Sequence, residues 1–198
     1  IFQDIISACF STAFEIKVAY LGPEGSFSEK AAKKHFGSST NFVPCGSIRE
    51  IIDLVEENSE YYGVLPIENS TEGLVNSTLD EIIESNLKIC SEISIPINLS
   101  LISKRNIALS SIKTIFAHSQ AFAQSQSWMS KNLPKAIRKD VTSNSQGVLQ
   151  SKRTNYSAAI ASTEAAKKYD MKVLKRNIQD YKNNKTCLLY TSPSPRDA

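Results

Sequence analysis

Short apolar runs alternate with helical patterns along the whole of this 198-residue chain, and polar clusters recur just after the runs end. Residues 16–21, 42–43, 62–67, 87–97, 99–103, 112–117, 136–141 and 157–160 read as strands. Ser26 with Glu29, and Ser47 with Glu50, have the spacing of capping boxes that open helices. The first of these helices stops at Gly37. The second carries Ile48, Ile51, Ile52 and Val55 on one face. Further helical patterns cover 74–84, 121–131 and 163–169, and another follows a Thr142-Ser-Asn-Ser145 cap. Alternation this regular predicts an α/β fold with mainly parallel sheets and helices on their faces. The polar clusters are 22–26, 68–70, 118–124, 142–145 and Thr186. Ligands of open α/β sheets bind outside the carboxyl ends of strands, where helix N-termini offer free N–H groups. An anionic small molecule suits such a place, although strand-end polar residues are also ordinary caps.

Charge excludes little. Residues 1–130 carry 9 basic and 15 acidic side chains, and residues 131–198 carry 14 and 5. The basic residues are scattered, with almost no aromatics among them, so a solvated face is expected rather than nucleic-acid binding. No apolar run reaches about 18 residues, so no membrane-spanning helix is expected. The cysteines, Cys9, Cys45, Cys90 and Cys187, form no CxxC pair and lie far in sequence from His35 and His118. Lone buried thiols in a reducing cytoplasm are expected, with no metal site.

The two ends read differently from the middle. The chain starts at Ile1 rather than Met, as a fragment would. Ile1, Phe2, Ile5, Ile6, Cys9 and Phe10 share one helical stripe; a competing reading takes Ile6-Ser-Ala-Cys9 as a lipoprotein cleavage box. At the other end, residues 188–198 form a Ser/Pro-rich run without periodicity, expected to be a non-native tail with no strand beyond Tyr190 or Thr191.

No GxGxxG or GxxxxGK[ST] spacing is present, so neither a dinucleotide nor a P-loop site is expected. What remains is hydrogen-bond and acid/base chemistry from Glu, Thr, Asn, Gln and Ser, meaning a cofactor-free reaction or binding without reaction. Five stretches carry a resemblance. Val18-Ala-Tyr-Leu-Gly-Pro-Glu-Gly-Ser-Phe27 is the first; Gly63-Val-Leu-Pro-Ile-Glu-Asn-Ser70 with Glu72-Gly73 and Asn76-Ser-Thr-Leu-Asp80 is the second. Ala117-His-Ser-Gln-Ala-Phe-Ala-Gln124, Ser157-Ala-Ala-Ile-Ala-Ser162 and Asn177-Ile-Gln-Asp180 with Asn184-Lys-Thr186 follow in order. Together they resemble prephenate dehydratase over about residues 17–186. Residues 1–14 resemble the last helix of a chorismate mutase domain, the arrangement of the bacterial bifunctional enzymes.

The resemblance implies two α/β lobes, like a periplasmic binding protein, with the active site in the cleft between them. Lobe one would take 17–95 plus 172–187, and lobe two 96–171. It implies conversion of prephenate to phenylpyruvate with loss of water and CO2 in phenylalanine biosynthesis, without cofactor or metal. Thr186 falls on the family's catalytic threonine. Glu68 is the carboxyl of its Glu-Asn-Ser motif, the acid if burial raises its pKa, or else only a cap of the next helix. Asn69, Ser70, Gln124, Ser143 and Asn144 would hydrogen-bond the carboxylates and ketone of prephenate, and Ser26 would add an anion contact. Ser26 and Ser143 read equally as caps, and Gln124 as a solvated helix residue.

Two departures stand out. The family's Thr-Arg-Phe reads Thr186-Cys187-Leu188 here, and Cys cannot supply arginine's bidentate grip on a carboxylate, so impaired activity is expected. Ala117-His118-Ser119-Gln120 stands where many members read Ser-His-Pro-Gln. With no phenylalanine-sensing ACT domain following, feedback inhibition is not expected. Prephenate is the implied partner; nucleic acid and membrane are not, and a homodimer stays open. The alternative is a two-lobed, non-catalytic binding protein for a small carboxylate.

Overall fold

The structure is a computed structural model and describes residues 16–192. The helix expected over 1–14, the Cys9 cleavage-box reading and residues 193–198 lie outside the described residues. The described residues divide into two compact units: one holds 16–22, Phe27–Pro96 and 185–192; the other holds Pro23–Ser26 and Ile97–Asn184.

The first unit is built on strands β1 (Lys17–Leu21), β2 (Asn41–Cys45), β3 (Tyr61–Asn69), β4 (Gly73–Leu74), β5 (Lys88–Pro96) and β11 (Lys185–Ser192). Their order is β2-β1-β3-β11-β5, with β4 on β3. Helices α1 (Phe27–Phe36), α2 (Ile48–Glu57) and α3 (Asn76–Glu84) complete it. Helix α2 starts where its sequence says. Ser47 Oγ accepts from Glu50 N at 3.1 Å, and Glu50 reaches back to Gly46 N at 2.6 Å, one residue before the expected box partner. Its apolar stripe, Ile51, Ile52 and Val55, is wholly buried on Ala19, Cys45, Leu65 and Leu87. Each such side chain contributes roughly 1.5–3 kcal/mol relative to exposure. Arg49 ties α2 to α3 by pairing with both Asp53 and Glu81, and Thr78 Oγ1 donates to Pro66 O at 2.7 Å, fastening α3 to β3.

The second unit carries β6 (Ser100–Ser103), β7 (Thr114–Ala117), β8 (Ile137–Asp140), β9 (Ser157–Ala161) and β10 (Lys172–Lys175) in the order β10-β6-β9-β7-β8. Helices α4 (Ser119–Gln124), α5 (Gln126–Asn132), α6 (Asn144–Arg153) and α7 (Thr163–Lys168) connect them. Strand β9 is buried along its whole length. Ala159 and Ala161 pack with Val148 of α6 and Ala165 and Ala166 of α7. Close approach is obligatory at Gly147, where an added Cβ would stand 3.0 Å from Phe116 O.

Two α/β sheets are present, as expected, but both are mixed rather than mainly parallel. Strands β1–β2, β1–β3, β7–β8 and β7–β9 pair in parallel. Strand β11 runs antiparallel to both β3 and β5, and β6 is antiparallel to β9 and β10. These returns also redraw the boundaries. Residues 172–184, expected in the first lobe, group with the second unit, because β10 pairs with β6 and Ile178 N donates to Leu99 O at 2.9 Å. Residues 188–192, expected to be tail, continue β11 as far as Ser192. Leu188, Tyr190, Thr191 and Ser192 are buried there.

Candidate active site

In the first unit the end of β3 and the start of β11 lie side by side, with Asn69 opposite Thr186 and Glu68 opposite Cys187. Three of the expected residues interlock there. Asn69 Nδ2 donates to Thr186 Oγ1 at 2.8 Å. Lys185 N donates to Ser70 Oγ and Ser70 N to Lys185 O, both at 2.9 Å. Asn69 is nearly buried and Thr186 half-buried. Glu68 is exposed at this strand end. It is not a cap, because the N-cap position of α3 is Val75 and no side chain caps the helix there. Thr71, which no motif singled out, holds Asn69 Oδ1 through its N at 3.0 Å and its Oγ1 at 2.6 Å.

Cys187 is the departure from Thr-Arg-Phe. Its Sγ lies 4.0 Å from Glu92 Oε2, and burial followed by the charges of Glu92 and Glu68 pushes its thiol pKa up. Of the other described cysteines, Cys45 is buried and Cys90 exposed, so the expectation of buried thiols describes Cys45 alone.

The second unit holds Ser26, Gln124, Ser143 and Asn144. Ser143 caps α6, its Oγ accepting from Gln146 N at 3.1 Å. Asn144 Oδ1 accepts from His118 N at 2.9 Å, joining the start of α6 to the end of β7. Gln124 is more than a solvated helix residue: its Oε1 accepts from Asn184 Nδ2 at 3.0 Å, and its backbone O accepts from Asp180 N at 2.7 Å. Asp180 also caps α5, accepting from Ser127 N and Trp128 N. Asn184 was in view as part of the Asn-Lys-Thr motif, but nothing in the sequence marked it as the partner of Gln124. Ser26 follows Gly25, whose φ of +83° suits glycine and where a Cβ would meet Ala165 Cα at 3.2 Å. Ser162 Oγ donates to Gly25 O, and Tyr169 Oη donates to Glu24 O.

Carboxamides and hydroxyls stand at strand ends in both mixed-sheet α/β units, the places where open α/β sheets bind ligands. The family described as prephenate dehydratase matches residues 18–192. The bifunctional chorismate mutase/prephenate dehydratase of Aquifex aeolicus is 42% identical over 189 residues, covering 96% of this chain and 52% of that protein. Its Pseudomonas aeruginosa counterpart is 38% identical over the same shares. The solved prephenate dehydratase of Arthrobacter aurescens, in complex with L-Phe, superposes with a TM-score of 0.84 at 29% identity, covering 91% of this chain and 61% of that one. The chain belongs to the prephenate dehydratase family. It spans about half the length of the curated relatives it matches.

Proposed function

We propose that this chain converts prephenate to phenylpyruvate, a carbon–oxygen lyase step of phenylalanine biosynthesis in the cytoplasm. Family membership and the 2.8 Å Asn69–Thr186 hydrogen bond at the Glu-Asn-Ser strand end support this reading. The bond from the ring to its carboxylate breaks, and its electron pair enters the ring as the C–O bond breaks. The departing hydroxyl takes one proton and leaves as water. Aromatisation drives the step, and the barrier lies in expelling the hydroxyl, so the protein must supply hydrogen to that oxygen. Thr186 is the group for it. A bare alcohol is a weak acid, so Thr186 acts by hydrogen bonding to the leaving oxygen while solvent balances the proton. Glu68 is the nearby carboxyl on the same strand end. Asn69, Ser70, Gln124, Ser143, Asn144 and Ser26 are the polar groups assigned to the substrate's carboxylates and ketone.

Position 187 favours an arginine in a fully active relative, because a guanidinium there would meet Glu92 and Glu68 and still present donors to a carboxylate. The test mixes prephenate with the protein and with its Cys187→Arg, Leu188→Phe form, and follows phenylpyruvate absorbance. The double variant should turn over at least about 10-fold faster, the worth of one charge-assisted hydrogen bond. A folded double variant that makes no product overturns the proposal; saturable prephenate binding without product would favour a binding protein instead.

A further inference from the structure

The hydrogen-bond polarity of Thr186 is fixed by its neighbours. Asn69 Oδ1 faces the backbone N–H of Thr71 at 3.0 Å. A backbone N–H only donates, so the Asn69 atom facing it must be the carbonyl oxygen, and the flip of the amide is determined. Thr71 Oγ1 adds a second donor to the same oxygen at 2.6 Å. The other end of the amide, Nδ2, therefore points at Thr186 Oγ1, 2.8 Å away. An amide nitrogen only donates, so Thr186 must accept from it, and the single hydrogen of the threonine hydroxyl is turned away from Asn69. The ladder around the pair prevents an easy escape: Lys185 is bonded to Ser70 through two backbone-anchored hydrogen bonds, and Thr186 pairs with Ile95 on its other side.

We propose that Asn69, clamped by Thr71, is a positioning residue that holds Thr186 as a hydrogen-bond donor toward the leaving hydroxyl of the substrate. The inference deepens the dehydratase reading and rests on it. It assigns Asn69 a part beyond direct grip on the substrate. It also gives Thr71 a part that no motif assigned. Donation from Asn69 also polarises the Thr186 O–H bond, since a hydroxyl that accepts one hydrogen bond becomes a better donor of another.

Replacing the amide by a carboxyl reverses the polarity with almost no change of shape. In Asn69→Asp, Thr71 still holds one oxygen. The second oxygen, when ionised, accepts from Thr186 and pulls its hydrogen inward. When protonated, that oxygen donates as the amide did. The experiment uses whichever form of the protein makes phenylpyruvate, the chain as it stands or its Cys187→Arg, Leu188→Phe variant. At neutral pH the Asn69→Asp kcat should fall about 100-fold, the cost of losing one preorganised donor. It should recover at least about 10-fold as the pH is lowered through the carboxyl titration. Asn69→Ala should lose activity without any such acid recovery. Thr71→Val should lower kcat less than Asn69→Asp, because the backbone donor survives, and Thr71→Ser should restore it.

A second measurement needs no turnover. In the 15N-labelled protein the Asn69 side-chain amide proton bonded to Thr186 should shift upfield in Thr186→Val. An acid-independent loss in folded Asn69→Asp, or an Asn69 amide that ignores Thr186→Val, overturns this inference while leaving the dehydratase reading intact. Absence of phenylpyruvate from both forms, with the amide shift present, overturns the dehydratase reading and with it the role of the donor.

Discussion

In the first unit the candidate residues are held from far along the chain: Asn69 by Thr186, 117 positions away, and Lys185 by Ser70, 115 positions away. In the second unit Ser143 is held by Gln146, three positions on, and Asn144 reaches His118 across 26. The first arrangement exists only when β11 has inserted between β3 and β5. The second combines local helix caps with the Gln124–Asn184 bond inside Ile97–Asn184, and only Ser26 comes from a distant segment. Damage to β11 therefore removes sheet core and candidate chemistry together. Damage to a cap in the second unit stays local and costs about 1 kcal/mol. A central strand supplied by the end of the chain also makes the first sheet the less local of the two, so its closure bears the larger loop-entropy cost.

The largest effect should come from Tyr190. It is almost completely buried in β11, donates its hydroxyl to Ala31 O at 3.0 Å, and packs edge-on to Phe36. Tyr190→Ala should cost about 3–5 kcal/mol in urea unfolding, the range for deleting a buried aromatic ring. A loss below about 1 kcal/mol, the level of an ordinary surface change, would mean that residues 188–192 are not core and would erase the contrast between the units. The next effect tests the same strand from its partner. An added Cβ at Gly63 would stand 2.6 Å from Thr191 Oγ1 and 3.1 Å from Ile51 Cγ2. Gly63→Ala should destabilise by about 1–3 kcal/mol through overpacking. Adding Thr191→Ala should recover much of it, because Thr191 Oγ1 is buried without a partner among the described residues. Strictly additive costs in the double variant would show that the two positions do not meet.

The contrast also explains what the sequence could tell. Strand–helix alternation and the cap at Ser47 were legible because their signals are local: an apolar run, a turn, a serine three residues before a glutamate. The neighbourhood of Glu68, Asn69, Ser70 and Thr186 was legible through motifs. Residues 188–192 were not, because Leu-Leu-Tyr-Thr-Ser beside Pro193 looks like tail until β3 and β5, roughly a hundred residues upstream, supply both ladder partners. Strand β10 was placed with the wrong lobe for the same reason: Lys172–Lys175 has no internal mark of its antiparallel partner β6. Asn184 stood in a motif, but its partner Gln124, 60 positions away, could not be read from it, and the two local bonds from Thr71 to Asn69 gain a role only when Thr186 arrives on β11.

A smaller effect separates the two readings of Ser143. Its oxygen accepts from Gln146 N, which leaves its one hydrogen for another acceptor. Ser143→Ala should lower stability by about 1 kcal/mol, as loss of an N-cap does. If it also binds a substrate carboxylate, KM should rise about 10-fold with kcat little changed, the signature of lost uniform binding. An unchanged KM would leave Ser143 a cap and would widen the difference between the units.

The smallest effect is a pH dependence confined to the first unit. The His35 ring stacks on Tyr190, centroids 4.0 Å apart and planes at 23°. Burial against that neighbourhood pushes the His35 pKa below its ordinary 6.5. Between the lowered value and 6.5 the folded protein binds fewer protons than the unfolded chain, so stability is present above pH 6.5 and falls as the pH drops through the native titration. The imidazole is only partly covered, and its exposed edge keeps the slope shallow. Urea midpoints measured at pH 7.5 and 5.5 should converge in His35→Phe, which keeps a ring on Tyr190 but cannot titrate. Equal pH slopes in the two proteins would mean that the stack on β11 does not hold His35 neutral, and would remove an acid-side titration from the first sheet.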